Sequence, residues 1–132
     1  MEKTQSKKED PYFRTDKIDY PIIKKGWGWE YWIWNDDKYC GKILIVNPNK
    51  KCSLHFHVEK HETFFLVEGA IELSLIHKDG SEQNIQLYPG DAVEITQGLV
   101  HSFYNNGTGV ARIVEFSTKH YDEDSFRVKK GD

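Results

Sequence analysis

Residues 52–69, CSLHFHVEKHETFFLVEG, decide the fold. Successive side chains of a β-strand point to opposite faces, so His55 and His57 share one face while the apolar residues beside them share the other. The turn that follows is predicted to bring the chain back antiparallel and to place Glu62 at the start of the adjacent strand. Two imidazoles and one carboxylate would then meet at one point, which indicates a metal site.

The alternating pattern continues on both sides of this stretch, and no segment shows a sustained helical stripe with caps. Each predicted strand is rich in aromatic or β-branched residues. The predicted strands cover residues 27–34, 42–46, 52–58, 63–67, 70–77, 83–87, 92–95, 101–104 and 112–116. Such short strands, separated by turn-forming pairs such as Asp79-Gly80 and Asn106-Gly107, predict an all-β closed barrel or sandwich.

The composition limits the classes of partner. The formal net charge is -3, with 18 basic and 21 acidic residues spread along the chain, so no electropositive face for nucleic acid is expected. No stretch approaches the ~20 apolar residues of a membrane span, and the amino terminus is charged, so a cytoplasmic location without a membrane partner is expected. The 132 residues are predicted to form one barrel domain over residues 21–132, preceded by an N-terminal arm over residues 1–20.

A third candidate histidine, His101, lies downstream in a string with its own spacing. Together the two strings read His55-x-His57-x4-Glu62-x6-Gly69 and Gly90-x7-Gly98-x2-His101-x3-Asn105. This combination resembles the cupin family, whose motifs read Gly-x5-His-x-His-x3,4-Glu-x6-Gly and Gly-x5-Pro-x-Gly-x2-His-x3-Asn. Asn49 stands where the first glycine is expected and Thr96 where the proline is expected. Both positions lie in turns, and Asn tolerates a positive φ.

The cupin resemblance implies a double-stranded β-helix, or jelly roll, with one divalent metal ion inside the barrel. The matching ligands are His55, His57, Glu62 and His101. Three imidazoles and one carboxylate suit Mn, Fe, Co, Ni or Zn, and ligand type alone does not choose among these ions. If the ion is octahedral, two positions stay open for water or substrate, as catalysis requires. The other histidines are interpreted as ordinary residues of the surface or of the site's surroundings: His61, His77 and His120.

The flanks of the site carry a narrower resemblance. The segments are Gly26-Trp27-Gly28-Trp29-Glu30, Tyr39-Cys40-Gly41-Lys42 and Ser53-Leu54-His55-x-His57-x2-Lys60-x-Glu62. They resemble the cupin domain of mannose-6-phosphate isomerases and related sugar isomerases, which shows Trp-Gly-x-Glu, a lysine-bearing strand and Ser-Leu-Gln-x-His-x-x-Arg-x-Glu. Here His55 replaces the glutamine and Lys60 replaces the arginine. Residues 122–127 also resemble that family's Asp-Asp-x-x-Arg ending.

This resemblance implies aldose–ketose isomerisation or epimerisation of a sugar or sugar phosphate through an enediol. A carboxylate or imidazole must carry the proton. The carboxylate candidates are Glu30, Glu94 and Glu115, and Glu115 is favoured because its stretch resembles the sugar family. Lys42 completes the candidate catalytic set. The candidates for substrate binding are Lys60 and Arg127, which could bind a phosphate or hydroxyl group, and Trp29, which could stack on the sugar.

Two other functions remain open at this point: an Fe(II)-dependent cupin dioxygenase, and a non-catalytic module that binds a metal or a carbohydrate. A homodimer is expected, partly because the cupin resemblance implies it. The other reason is the tryptophan-rich strand over residues 27–34, which offers more apolar surface than one barrel can bury.

Overall fold

The computed structural model describes residues 21–132, which form eleven β-strands. The strands are β1 Ile22–Lys25, β2 Gly28–Asn35, β3 Cys40–Val46, β4 Leu54–Phe56, β5 Glu62–Glu68, β6 Ile71–Ile76, β7 Glu82–Leu87, β8 Ala92–Ile95, β9 Val100–Tyr104, β10 Ala111–Ser117 and β11 Phe126–Lys129. Within residues 21–132 there is no helix, and therefore none that is long and apolar enough to cross a membrane. The predicted arm, residues 1–20, lies outside the described residues.

Two antiparallel sheets face each other. One has six strands in the order β1-β2-β3-β10-β5-β8, and the other has five in the order β11-β4-β9-β6-β7. Neighbours in a sheet are mostly distant in sequence, because the chain crosses repeatedly from one sheet to the other. This is a jelly roll, so the predicted fold class is confirmed.

One local prediction was wrong. β4 and β5 do not pair as a hairpin, because β4 lies in the five-stranded sheet and β5 in the six-stranded sheet. The intervening residues 57–61 cross between the sheets. β5 instead pairs along its length with β10, and β4 pairs with β9 and β11. The local sequence pattern does not distinguish a hairpin turn from a crossover of this length. The pairing of β4 and β5 with distant strands determines that residues 57–61 form a crossover.

The nine predicted strands all occur, eight of them with shifted ends, but the prediction missed β1 and β11. Both are edge strands of four residues, and β11 is exposed throughout. A short edge strand buries little apolar surface, so it leaves only a weak periodic signal in the sequence.

The interior has an apolar half and a polar half. Along β3, β5 and β10 the inward residues are polar at one end and apolar at the other: Lys42 precedes Leu44 and Val46, Glu62 precedes Phe64 and Leu66, and Glu115 follows Ala111 and Ile113. The register places Glu115 opposite Lys42 and Ile113 opposite Leu44, so polar residues lie beside polar ones and apolar residues beside apolar ones across the sheet. The apolar half supplies the hydrophobic core, and the polar half holds the candidate site.

The turn at Asn49 explains one departure from the family motif. Asn49 has a φ of 63°, in the left-handed region, so it adopts the backbone conformation that the expected glycine would supply. Its N–H donates to the carbonyl of Asn105 at 3.0 Å, which ties the two motif loops together. The substitution therefore preserves the shape of the loop.

Candidate metal centre

Three imidazoles converge inside the polar half of the barrel. His55 on β4 lies directly opposite His101 on β9, and His57 follows β4 on the same face as His55. One ring nitrogen from each lies within 4.8 Å of those of the other two. Donor atoms that share an ion at about 2.1 Å lie roughly 3 to 4 Å apart, so the cluster is close to the size that a single ion requires.

Backbone carbonyls fix the orientation of all three rings. The Nδ1 atoms lie close to the carbonyl oxygens of Ser53 (2.8 Å from His55), Asp124 (2.6 Å from His57) and Leu99 (2.9 Å from His101). A carbonyl can only accept, so each Nδ1 carries the proton and donates it. The lone pair of each neutral ring is therefore on Nε2, which is the arrangement that a metal-binding histidine needs.

Glu62 reaches the same point from the opposite sheet. Its carboxylate oxygens lie 3.2 Å from Nε2 of His57 and 3.8 Å from Nε2 of His101. Glu62 Oε2 and His101 Nε2 are both buried without a hydrogen-bond partner. Buried polar atoms rarely stay unsatisfied, and a cation that both could bind would satisfy them. The residues present therefore fit one metal ion.

The pKa values fit the same conclusion. Burial, reinforced by His101, lowers the pKa of His55 to about 3, and burial lowers the pKa of His101, so both rings stay neutral. Burial alone would raise the pKa of Glu62, but His57 and Lys60 lower it below its ordinary value. Burial would lower the pKa of His57, whereas Glu62 raises it. Glu62 is therefore held as a carboxylate and favours a positive charge beside it.

A buried ion pair lies beside this centre. Nζ of Lys60 is 2.6 Å from the carboxylate of Glu115, on β10, and 3.7 Å from Oε2 of Glu62. All three side chains are less than a tenth exposed. Burial alone would lower the pKa of Lys60, but the two carboxylates raise it above its ordinary value. The ammonium group is therefore held charged between a metal-site carboxylate and a second carboxylate.

A second ion pair lies on the neighbouring strands. Nζ of Lys42 is 3.0 Å from Oε1 of Glu30 and lies 4.5 Å from the centroid of the Trp32 ring. The indole N–H of Trp32 also donates to Glu30, at 2.9 Å. Burial would raise the pKa of Glu30, but Lys42 and Trp32 lower it. The polar half thus contains two lysine–glutamate pairs, each with one nearly inaccessible lysine.

His120, which sequence reasoning left as an ordinary residue, joins the two pairs. Its Nδ1 accepts from Lys60 at 3.2 Å, its Nε2 donates to Asp122 at 3.0 Å, and its ring packs edge-on against Trp32. Burial and then the lysines Lys42 and Lys60 lower the pKa of His120 to about 4, so the ring is neutral.

Asp124 was also missed as a supporting residue. Its carboxylate accepts hydrogen bonds from the backbone N–H groups of Val58, Glu59 and Lys60, at 2.7, 3.1 and 2.9 Å. The same residue holds His57 through its carbonyl. The only sequence feature that pointed to Asp124 was its position within residues 122–127, the stretch that resembles the Asp-Asp-x-x-Arg ending.

The structure does not bring every predicted site residue to the candidate metal centre. Trp29 neighbours the inward-facing Glu30 on β2, so it faces outward, with 37% of its surface exposed. Arg127 lies opposite His55 in the register, but on the exposed edge strand β11. Among the carboxylates left open, Glu30 and Glu115 face the interior, whereas the side chain of Glu94 is 61% exposed and pairs with His61.

Comparison with known proteins adds the family context. The profile of the Cupin domain family matches residues 42–117. A curated relative, mannose-1-phosphate guanylyltransferase of Sinorhizobium fredii, is 27% identical over 111 residues, which cover 83% of this chain and 21% of that protein. The chain thus spans about a fifth of that relative's length.

Solved structures share the fold. The capsular polysaccharide assembling protein CapF of Staphylococcus aureus superposes with a TM-score of 0.72 at 19% identity, covering 83% of this chain and 34% of CapF. Oxalate decarboxylase of Bacillus subtilis superposes with a TM-score of 0.76 at 15% identity, covering 86% of this chain and 31% of that chain. At these sequence identities the superpositions show a shared fold only.

Proposed function

The chain belongs to the cupin domain family, and from this premise we propose that it is a metal-dependent isomerase or epimerase of a sugar or sugar phosphate. Isomerisation moves a proton between adjacent carbons, so it requires a carboxylate or imidazole beside the metal ligands. The observation that carries the proposal is the Lys60–Glu115 pair, at 2.6 Å, in contact with Glu62.

One divalent ion, Mn, Fe, Co, Ni or Zn, would be held by the following residues: His55, His57, Glu62 and His101. When bound, such an ion supplies Lewis-acid polarisation of substrate oxygen atoms. Glu62 then serves as a ligand and is not free to act as the base. This role leaves proton transfer to the other buried carboxylates.

Glu115 is the proposed general base. Its carboxylate faces the interior next to the metal ligands and would accept a proton from the carbon beside the sugar carbonyl, then return it to the neighbouring carbon. Lys60 keeps positive charge at this position and would donate a hydrogen bond to the oxygen on which negative charge develops. Glu115 lies on β10, and the crossover that carries Lys60 is held by the carboxylate of Asp124, so little reorganisation is required.

The pair Lys42–Glu30 is proposed to bind hydroxyl groups of the substrate. A charged donor and a charged acceptor 3.0 Å apart match the donor and acceptor capacity of adjacent hydroxyls. Trp32, next to this pair, replaces Trp29 as the candidate aromatic surface for the sugar, because Trp29 faces outward. Arg127 remains a candidate for a phosphate group at the rim near His55.

The class of substrate rests on the sequence relative. Its name, mannose-1-phosphate guanylyltransferase, concerns a sugar phosphate, which supports a sugar or sugar phosphate here.

The test follows hydrogen exchange. Purified protein is loaded separately with each metal and incubated in D₂O with aldoses, ketoses and their phosphates, and deuterium at C1 and C2 is measured. We expect incorporation with at least one sugar, and a loss of about 100-fold or more in Glu115→Gln, the usual range for a general base. Glu94→Gln is the matched control, since Glu94 lies outside the barrel.

Other outcomes identify the alternatives. Absence of exchange with every sugar would overturn the isomerase proposal. Oxygen consumption that requires Fe(II) and an organic substrate would indicate a dioxygenase, and tight sugar or metal binding without turnover would indicate a binding module.

A further inference from the structure

The position of His120 is set by a residue 85 positions earlier in the chain. The side-chain amide of Asn35, at the end of β2, donates to the carbonyl of His120 at 3.0 Å, and its oxygen accepts from the N–H of His120 at 2.8 Å. The ring packs against Trp32 with the two centroids 5.0 Å apart, and 11% of the side chain is exposed. The backbone and the ring of His120 are therefore both held against the six-stranded sheet.

Two charged partners fix the tautomer of this ring. Nε2 lies 3.0 Å from the carboxylate of Asp122, which can only accept, so Nε2 carries the proton. Nδ1 lies 3.2 Å from the ammonium group of Lys60, which can only donate. The three metal-site rings carry their proton on Nδ1. His120 therefore has the opposite tautomer, with its lone pair facing Lys60.

The ammonium group of Lys60 has three N–H bonds and two close acceptors. Nζ is 2.6 Å from Oε2 of Glu115 and 3.2 Å from Nδ1 of His120, both within hydrogen-bond distance. Oε2 of Glu62 is 3.7 Å away, too far for a hydrogen bond, and it has no hydrogen-bond partner among residues 21–132. Because the ammonium group is tetrahedral, two hydrogen bonds and the bond to Cε leave one direction for the third N–H.

We propose that His120 is a positioning residue that directs the third N–H of Lys60 towards the metal centre, where this N–H binds an anionic oxygen of the reacting sugar. The inference rests on the proposed function, in which Lys60 stabilises the oxygen that becomes negative. Without an acceptor at the place of Nδ1, Glu115 alone would hold the ammonium group, and Nζ could swing around that contact. A donor that is already in place costs no reorganisation when the charge develops.

A packing role alone explains less of the structure. A phenylalanine could fill the space beside Trp32 equally well, without any polar atom. In His120 both ring nitrogens have charged partners, although little of the ring is exposed. A polar ring in such a place costs free energy unless its nitrogens are hydrogen-bonded, so these contacts are what make a histidine suitable here.

Two variants separate the acceptor from the ring. His120→Asn places an amide oxygen near the position of Nδ1, so it can still accept from Lys60. His120→Phe keeps a ring against Trp32 but has no acceptor. His77→Phe is the matched control, because His77 follows β6 and contacts Gln83, outside the candidate site.

The first measurement needs no turnover. Acetohydroxamate carries two adjacent oxygen atoms, as an enediolate does, and binds zinc. Its dissociation constant for the zinc-loaded protein, measured by calorimetry, should rise about 10-fold or more in His120→Phe and stay near the wild-type value in His120→Asn and His77→Phe. Equal affinity in the wild type and His120→Phe would overturn the proposal. So would an equal loss in His120→Phe and His120→Asn, or a wild-type protein that does not bind the probe.

The second measurement needs no variant. Nitrogen-15 NMR of the zinc-loaded wild-type protein should show a proton on Nε2 of His120 and a proton on Nδ1 of each metal-site ring. A proton on Nδ1 of His120 instead would overturn the proposal.

The third measurement uses any sugar that shows hydrogen exchange. His120→Phe should lower kcat at least about 10-fold and leave KM unchanged, because the contact strengthens only as the charge develops. An unchanged kcat would contradict the positioning role. Exchange with no sugar would overturn the isomerase proposal alone, because the acetohydroxamate affinities and the tautomer still decide the role of His120.

Discussion

The backbone carbonyl of Asp124 accepts a hydrogen bond from Nδ1 of His57 at 2.6 Å, although the two residues are 67 positions apart. The carboxylate of the same aspartate holds the N–H groups of the crossover that follows His57. One residue near the carboxyl end of the chain therefore orients a metal-site imidazole and the segment that leads to Lys60 and Glu62. The candidate site therefore depends on this contact as well as on its ligands.

Asp124→Ala should weaken metal binding without removing any ligand. Loss of the carboxylate leaves three backbone N–H groups of residues 58–60 unsatisfied, and supporting contacts of this kind typically contribute about 10- to 100-fold in metal affinity. We expect a decrease in that range, measured by competition with a chelator, and a lower free energy of unfolding by about 2 kcal/mol, measured with urea. Asp122→Ala, which removes an exposed carboxylate, is the control. Equal metal affinity in the two variants would contradict the role given to Asp124.

His57→Ala should remove most of the metal, whereas His120→Ala should leave the metal content unchanged. Nε2 of His57 faces the cluster, while both nitrogens of His120 are engaged by Lys60 and Asp122. The measurement is elemental analysis of purified protein after equal exposure to the metal. The same content in both variants would refute the ligand assignment.

Lys60→Met should destabilise the fold by about 3 kcal/mol, because it leaves Glu115 buried without its partner charge. Adding Glu115→Gln should recover part of this loss, since the amide has no charge to leave unpaired. Urea denaturation of the two single variants, the double variant and the wild type completes a double-mutant cycle. If the two single effects simply add, the pair is not coupled and the interpretation of the site is incorrect.

His120 should make part of the stability pH-dependent. Its pKa is about 4 in the folded protein, below its ordinary value of 6.5, so between these values the unfolded chain binds a proton that the folded protein does not. Stability is therefore lost as the pH falls from 6.5 towards 4, and this residue contributes about 2 kcal/mol to that loss after solvent screening. His120→Phe, which keeps a ring against Trp32, should show a flatter stability profile in this window. Profiles of identical slope would contradict the lowered pKa.

The local pattern of the sequence predicts much of the architecture. Alternation of apolar and polar residues located nine of the eleven strands, and the spacing of the two motifs placed His55, His57 and His101 together, as the structure does. The exchange of glycine for Asn49 was also interpretable, since few residues other than glycine and asparagine adopt its φ readily. These features depend on the residue and its immediate neighbours.

The residues that surround the metal ligands could not be predicted from local pattern. The sequence offered Glu30, Glu94 and Glu115 as candidate carboxylates and favoured Glu115 only through a family resemblance. The register of β2, β8 and β10 separates the two inward-facing residues from the exposed one. The roles of His120 and Asp124 likewise depend on a segment that returns to the site from a distant part of the chain.

The sequence by itself determined nine of the eleven strands, the histidine cluster and the family, because these follow from side-chain alternation and fixed spacings. The tertiary structure decided that Glu62 faces the histidines from the opposite sheet, that Lys60 pairs with Glu115, and that Trp29 faces outward. The physical reason is that hydrogen-bonded ladders between distant strands set which residues oppose each other, and a shift of one residue in such a ladder would turn every side chain of the strand to the other face.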